Sequence, residues 1–274
     1  MAIKKYTYYL KSTYELLSAF TDPFLMIGVF TGLSRHSTPF EVRLRASGLR
    51  FLVRGKMDIW SLKETIVDRF YERFGSPVDA GWTVVDVGAG IGDFTIFAAC
   101  SAASTKVFAY EPYAPSYSLL QENLALNQVK NVKVYPHAVA GHVGTLHLDQ
   151  TAGEPLQVQS SRNIDHQRDP SPDVIVPAVD LETLLADNHI ERCDLLNLDC
   201  EGAEYAILFN AEDHVLSRVD RIIMEYHDGL TEYEHNDLYR YLKKMGYQVE
   251  INPNYVHRDL GYLYAVREII SEDG

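Results

Sequence analysis

Residues 82–95, Trp-Thr-Val-Val-Asp-Val-Gly-Ala-Gly-Ile-Gly-Asp-Phe-Thr, constrain this chain more than any other stretch. An apolar strand runs through an acid into three alternate glycines and then into a helix. Val84, Val85 and Val87 form a short apolar run bounded by turn residues, the pattern of a strand buried in a parallel sheet. Gly88, Gly90 and Gly92 supply positive φ and close backbone approach, and Thr95 to Ala103 read as the following helix. Such a turn lays a nucleoside ligand against the backbone.

The spacing narrows the ligand. A dinucleotide fingerprint reads G-x-G-x-x-G and aims a helix N-terminus at a pyrophosphate. Here the glycines are evenly spaced and Asp86 precedes the first by two residues, where a carboxylate repels a pyrophosphate and suits a ligand with a cationic end. S-adenosylmethionine carries both an ammonium and a sulfonium. The next strand, Lys106-Val-Phe-Ala-Tyr-Glu111-Pro112, ends in an acid 19 residues past Gly92, where a carboxylate holds a ribose diol. The expected cofactor is S-adenosylmethionine, held by Asp86, Gly88, Ala89, Gly90, Glu111, Pro112 and Asp199, with Ala138 and His137 at the end of the third strand, His137 reading either as a border of the adenine or as an ordinary loop histidine. A dinucleotide and a purely structural glycine turn are the competing readings.

Composition bounds the rest. A chain of 274 residues with 46% hydrophobic content buries one sizeable core and has room for an appendage. A formal charge of −13 opposes binding to a phosphate backbone, so no nucleic-acid partner is expected. Arg43, Arg45, Arg50 and Arg54 alternate as the solvated face of a small sheet would. Cys100, Cys193 and Cys200 lack C-x-x-C spacing and indicate neither a disulfide framework nor a zinc site. The apolar run Phe24 to Leu33 is too short to span a bilayer, and no basic segment with a cleavage site precedes it, so a cytoplasmic location is expected.

Residues 1–78 read as an N-terminal helical and β-hairpin cap, and 79–274 as a Rossmann-like α/β domain. In the cap, helices across 3–35 carry Tyr6, Tyr8, Tyr9 and Tyr14 and offer an acceptor wall or a homo-oligomer contact. A hairpin spans 40–54. Ile59, Leu62, Ile66, Phe70 and Phe74 fall at helical spacing and predict one helix over 58–74, whose Asp58 and Trp60 read as a capping acid and a packing aromatic. Strands and helices then alternate: strand 82–87, helix 93–103, strand 106–111, helix 114–127, strand 132–137 and a β excursion over 143–149. The Pro- and Gly-bearing segment 150–173 reads as a lid or as disorder. Strand 174–179, a helix opened by Asp180, strand 193–199, helix 203–211, strand 219–226 and helix 232–245 follow, closed by an antiparallel pair at 247–251 and 261–267. The expected fold is therefore α/β, a mostly parallel sheet with a terminal antiparallel strand pair, which distinguishes a class I methyltransferase from a plain dinucleotide fold.

A second run, Asp194-Leu-Leu-Asn-Leu-Asp-Cys-Glu-Gly-Ala-Glu-Tyr205, is another apolar strand ending in charge. Asp199 falls at the carboxyl end of the strand beside the glycine turn, and Arg221-Ile-Ile-Met-Glu225-Tyr-His227 ends in an acid and a histidine at the same edge. Three readings stand. Asp199, Glu225 and His227 hold a divalent metal such as magnesium that acidifies an acceptor hydroxyl. Alternatively His227 or Asp199 is a metal-free general base or orients the acceptor. In the third, Glu201 and Glu204 favour a helix N-terminus while Glu225 and His227 are hydrogen-bonded structural groups.

Taken together these segments resemble the FkbM family of S-adenosylmethionine-dependent methyltransferases. The resemblance covers residues 84–227 and rests on Asp86-Val-Gly-Ala-Gly-Ile-Gly92, Tyr110-Glu111-Pro112 with Asn123 and Asn127, Ser160-Ser161, Asp199-x-Glu201-Gly-Ala-Glu204 and Glu225-x-His227. It implies a Rossmann-like methyltransferase fold and O-methylation of a small secondary metabolite or sugar, with a carboxylate or peptide terminus in natural-product biosynthesis as the other acceptor. Gly90 stands where the family usually has asparagine, and Asn197 where it commonly has lysine. A nicotinamide-dependent oxidoreductase and a non-catalytic cofactor-binding protein are the lower-ranked alternatives.

Overall fold

The computed structural model describes residues 2–148, 174–254 and 259–268, with side chains from residue 11 onward. Helices α1 (Ala2–Ala19) and α2 (Pro23–Thr31) precede a hairpin of β1 (Phe40–Arg43) and β2 (Arg50–Val53). Helix α3 (Lys56–Leu62), a π-helical turn (Lys63–Val67) and α4 (Phe70–Phe74) lead into β3 (Thr83–Val87). The alternating part contains α5 (Asp93–Ser101), β4 (Lys106–Tyr110), α6 (Ala114–Leu126), β5 (Val132–Tyr135), β6 (Ala138–Val139), β7 (Gly144–Leu148), β8 (Val174–Val179) and α7 (Leu181–Asp187). It continues through β9 (Leu195–Leu198), α8 (Ala203–Asn210), α9 (Asp213–Leu216), β10 (Arg221–His227), α10 (His235–Lys244), β11 (Tyr247–Pro253) and β12 (Leu260–Arg267).

Seven strands form the main sheet in the order β11-β12-β10-β9-β3-β4-β5. The strands β10, β9, β3, β4 and β5 run parallel, and β12 is antiparallel to both β10 and β11. This is the mostly parallel α/β sheet expected, with the antiparallel pair at one edge. The chain leaves β3 toward β4 and β5, then crosses back to β9 on its other side. The β3/β9 boundary is thus the switch point where open α/β sheets bind ligands. Residues 84–87 of β3 and all four residues of β9 are buried, as helices on both faces require.

The N-terminal segment shares a core with the sheet domain. Phe20, Val42, Phe51 and Leu62 pack in one cluster with Ile96 and Leu120. Each such buried side chain contributes about 1.5–3 kcal/mol by leaving water. Polar contacts fix the same junction: Leu52 N–H donates to Asn123 Oδ1 at 2.6 Å, Arg50 N–H to Asn127 Oδ1 at 2.9 Å, and Asn123 Nδ2 to the Ile91 carbonyl at 2.9 Å. Asn123 therefore ties the edge of the hairpin to the glycine turn. Among the described residues no helix is long and apolar enough to cross a membrane.

Several expectations are corrected. The single helix over 58–74 is broken, because Lys63 turns inward to Asp68 and Glu15 within the π-helical turn and Arg69 adopts φ 54°. Strand β8 leaves the main sheet and pairs with β6 and β7 in a small three-stranded sheet, consistent with its alternating, one-sided burial. Nor are the four arginines a uniformly solvated face: Arg45 donates to the Phe20 carbonyl, Arg50 to the Leu126 carbonyl, and Arg54 to Asp58 and Ser116. Helix α9 was not expected. The segment 150–173, Ser160, Ser161 and the side chains of Tyr6, Tyr8 and Tyr9 lie outside the described residues, and Tyr14 is exposed.

Candidate active site

The glycine turn is shaped by two requirements. At Gly88, φ is +82° and a Cβ would sit 1.8 Å from the Asp199 carbonyl oxygen, so only glycine lets the end of β3 approach the end of β9 this closely. The turn also spends its N–H groups on the neighbouring strand. Gly88 and Ala89 both donate to the Tyr110 carbonyl, at 3.0 and 3.1 Å, and Gly90 donates to Glu111 Oε2 at 2.7 Å. At the start of α5, the Asp93 carboxylate accepts from Ser61 at 2.8 Å and Thr65 at 2.5 Å, and also from the Asp93 and Phe94 backbone amides. A pyrophosphate would meet engaged donors and a buried carboxylate here, which weighs against the dinucleotide reading.

Glu111 stands at the end of β4 with Oε1 accepting from Tyr113 N–H at 2.8 Å. Burial raises its pKa to about 7 even though the Tyr113 and Gly90 amides favour the charged form. Each oxygen keeps a lone pair for a further donor. Gly88, Gly90, Glu111, Pro112, Ala138 and Asp199 all line one cleft of about 260 Å³. Its charged lining is strongly acidic, with Asp58, Asp93, Glu111, Asp199 and Glu201 against Arg54 alone.

Three expected cofactor contacts are not brought to this cleft. Ala89 and His137 are absent from its lining. Asp86 is fully buried beneath the turn, with one oxygen accepting from the Thr95 hydroxyl and the other from Asn197 Nδ2 at 2.9 Å. Burial raises its pKa to about 7, opposed by those two bonds. Asp86 thus supports the turn from below rather than facing a ligand's cation, and Asn197 meets it where a lysine would have supplied a countercharge.

Asp199, Glu225 and His227 do converge, with potential ligand atoms within 4.8 Å of one another. His227 Nδ1 lies 3.3 Å from Glu204 Oε1, and Nε2 lies 3.4 Å from Glu201 Oε2. Burial opposes charge on the imidazole, but the hydrogen bond to Glu204 and the charges of Glu204, Glu201 and Asp199 prevail and raise its pKa to about 10. With Nδ1 bonded to Glu204 and Nε2 beside Glu201, His227 as an imidazolium has no lone pair to offer a cation. Glu204 is itself held by the Cys200 and Gly202 amides, at 3.1 and 2.7 Å. Asp199 accepts from Tyr71 Oη at 3.0 Å. Burial raises the Asp199 pKa to about 6, moderated by the His227 charge, and raises that of Glu225, reinforced by Asp199.

Sequence reasoning missed Tyr71, Glu64 and Asp93. Burial raises the Glu64 pKa to about 7, reinforced by the charges of Asp68 and Asp199, and the charge of Glu64 in turn acts on Glu225. Its signal was hidden because the π-helical turn re-aims it relative to regular helical spacing. Asp93 had a signal, as the acid directly after the third glycine. Glu201 had a different one, a left-handed φ of 53° in a residue other than glycine, visible only in the fold.

The model of the methyltransferase FkbM domain matches residues 86–249. The chain is similar to the AMB antimetabolite synthetase AmbE of Pseudomonas aeruginosa, 25% identical over 75% of this chain, which spans 11% of that much longer protein. It is also similar to the 31-O-demethyl-FK506 methyltransferase FkbM of Streptomyces tacrolimicus, 26% identical over 61% of this chain and 73% of that one. A solved FkbM methyltransferase from Methylobacillus flagellatus aligns over 76% of this chain and 53% of its own at 13% identity, with a TM-score of 0.47. With the glycine turn, Glu111 and the Asp199 cluster all inside the matched span, the chain belongs to the FkbM family of methyltransferases.

Proposed function

We propose that the chain transfers a methyl group from S-adenosylmethionine to a hydroxyl oxygen of a small secondary metabolite or sugar. The observation that carries this is the shared cleft: Gly88, Gly90 and Glu111, suited to a nucleoside, border the same cavity as Asp199, a carboxylate suited to receive a proton. Glu111 would hold the ribose diol, and the acidic lining suits a ligand bearing an ammonium and a sulfonium. The bound donor supplies an electrophilic methyl carbon, whose bond to sulfur breaks as its bond to the acceptor oxygen forms, leaving S-adenosylhomocysteine.

The chain's own residues supply orientation and proton removal. Asp199, with a pKa near 6, is mostly ionised at neutral pH and takes the hydroxyl proton as the oxygen attacks. Tyr71 holds that carboxylate in one orientation through its 3.0 Å hydrogen bond. His227, charged and held between Glu201 and Glu204, keeps Asp199 ionised rather than acting as the base itself. The name of the Streptomyces tacrolimicus relative, an O-demethyl substrate's methyltransferase, supports oxygen as the acceptor atom. A carboxylate or peptide terminus is the second acceptor class, which needs no base.

Calorimetric titration with S-adenosylmethionine, S-adenosylhomocysteine and NAD, followed by transfer of labelled methyl to a panel of alcohols and acids, tests this. Binding of the two adenosyl ligands without NAD, and label on an oxygen, is expected. Failure of both adenosyl ligands to bind the folded protein overturns it.

A further inference from the structure

A second cavity, of about 380 Å³, lies between the end of α2 and the start of α3. Its charged lining is the reverse of the first: Arg35, His36, Arg54 and Lys56, and no carboxylate. In a chain with 38 acidic and 25 basic residues, an acid-free pocket bearing four basic side chains is a marked local reversal. The side chains of Arg35, His36 and Lys56 make no ion pair or hydrogen bond among the described residues, where His36 stacks on Phe40 with ring centroids 3.9 Å apart. The Arg35 and Lys56 charges therefore remain available to an incoming group. Phe30, Val29 and Phe40 supply an apolar wall beside them.

Arg54 lines both cavities and so marks where they meet. Its guanidinium is held in place by both oxygens of Asp58, at 2.8 and 2.9 Å, and by contact with Ser116 Oγ at 3.0 Å. The acidic cleft and the basic pocket thus adjoin at this one side chain, with opposite charge in their linings. The acidic cleft complements a cationic donor, and the basic pocket has no role in holding it.

We infer that the acceptor carries an anionic group, a carboxylate or a phosphate, remote from the atom that is methylated, and that Arg35, His36 and Lys56 bind this group. The inference rests on the methyltransferase reading of the acidic cleft. Charge-assisted hydrogen bonds from Arg and Lys anchor one end of the acceptor, the apolar wall takes its body, and Arg54 stands where it enters the cofactor cleft. Anchoring at a distance orients a neutral hydroxyl for in-line attack without placing a second negative charge against Asp199.

The test follows backbone amides by NMR in the full chain saturated with S-adenosylhomocysteine, titrated at constant ionic strength with inorganic phosphate, with hexanoate and with neutral hexanamide. Saturable shifts confined to residues 31–36 and 55–56, from phosphate or hexanoate but not hexanamide, are expected, and which anion binds identifies the group. The R35Q/K56Q variant should weaken that binding about tenfold or more while keeping wild-type affinity for S-adenosylhomocysteine, since neither residue lines the acidic cleft. Non-saturating or scattered shifts, or equal binding by the variant, overturn the inference. Failure of S-adenosylhomocysteine to bind the wild-type chain instead overturns the methyltransferase reading, a separate result.

Discussion

Asn197 donates a 2.9 Å hydrogen bond to Asp86, joining β9 to β3 in the buried interior directly beneath the glycine turn. Among the described residues no cation accompanies this pair, and Asn197 Oδ1 has no hydrogen-bond partner. Burying a carboxylate on an amide and a hydroxyl alone favours its protonated form, which is why its pKa rises to about 7.

This makes stability pH-dependent with a defined sign. Between about pH 4 and 7 the unfolded chain releases a proton that folded Asp86 retains, so stability falls as pH rises through that window. Asp86→Asn removes this contribution. Urea unfolding at pH 5 and pH 8 should show wild type losing more stability than the variant, by ~1–4 kcal/mol. Equal losses would mean that Asp86 ionises freely in the fold.

Gly88→Ala and Gly90→Ala should part company. At Gly88 a methyl group collides with the Asp199 carbonyl, and φ is also unfavourable, so destabilisation of about 2–4 kcal/mol is expected. At Gly90 the nearest atom would be 4.0 Å away, leaving a left-handed cost of about 1–2 kcal/mol and a methyl group in a residue that lines the cleft. Gly90→Ala should therefore lose ligand affinity more than stability, measured by S-adenosylhomocysteine titration beside thermal unfolding. The reverse order would contradict the packing described at Gly88.

What could be read from sequence was what neighbours in the chain decide. Val84 to Gly92 encode strand and turn locally, and Glu111 follows at a spacing set by one helix and one strand. The direction of Asp86 was not legible: β3 is buried on both faces, so alternation does not say whether a side chain meets ligand or core. Tyr71 meets Asp199 across 128 residues of chain, a contact that no local pattern records. The basic pocket is equally non-local, since residues 29–40 and 54–56 acquire a common wall only when α2 packs beside the hairpin. The π-helical turn depends on Lys63 finding both Asp68 and Glu15, and helical periodicity alone passed over it.

Glu111→Ala should reduce affinity for S-adenosylhomocysteine by at least about tenfold, the cost of losing charge-assisted hydrogen bonds to a ribose diol. Asp86→Ala should act chiefly on stability, because its carboxylate does not line the cleft. Calorimetry with both variants, each checked by circular dichroism, separates the roles. Unchanged affinity in folded Glu111→Ala would remove Glu111 from the cofactor site.

Chelation should leave methyl transfer intact. His227 directs one nitrogen to Glu204 and the other to Glu201, so Asp199 and Glu225 lack the third donor that a metal centre would need from it. Rates measured before and after dialysis against EDTA should agree within error. Loss of activity restored by magnesium would return His227 to the role of a ligand and displace the proton-transfer assignment.

The pH profile of turnover distinguishes a base from a bystander. Asp199 must be ionised to accept a proton, so kcat should rise with pH along a limb centred near pH 6. His227 lowers the Asp199 pKa by its charge, and its own pKa near 10 keeps that charge throughout the limb. In His227→Gln the limb should therefore move upward by roughly one unit while S-adenosylhomocysteine affinity is retained. Asp199→Asn should lower kcat by about 10²–10⁴-fold and abolish the limb. A limb that stays in place in His227→Gln would deny the electrostatic coupling, and an intact limb in Asp199→Asn would assign the proton to another group.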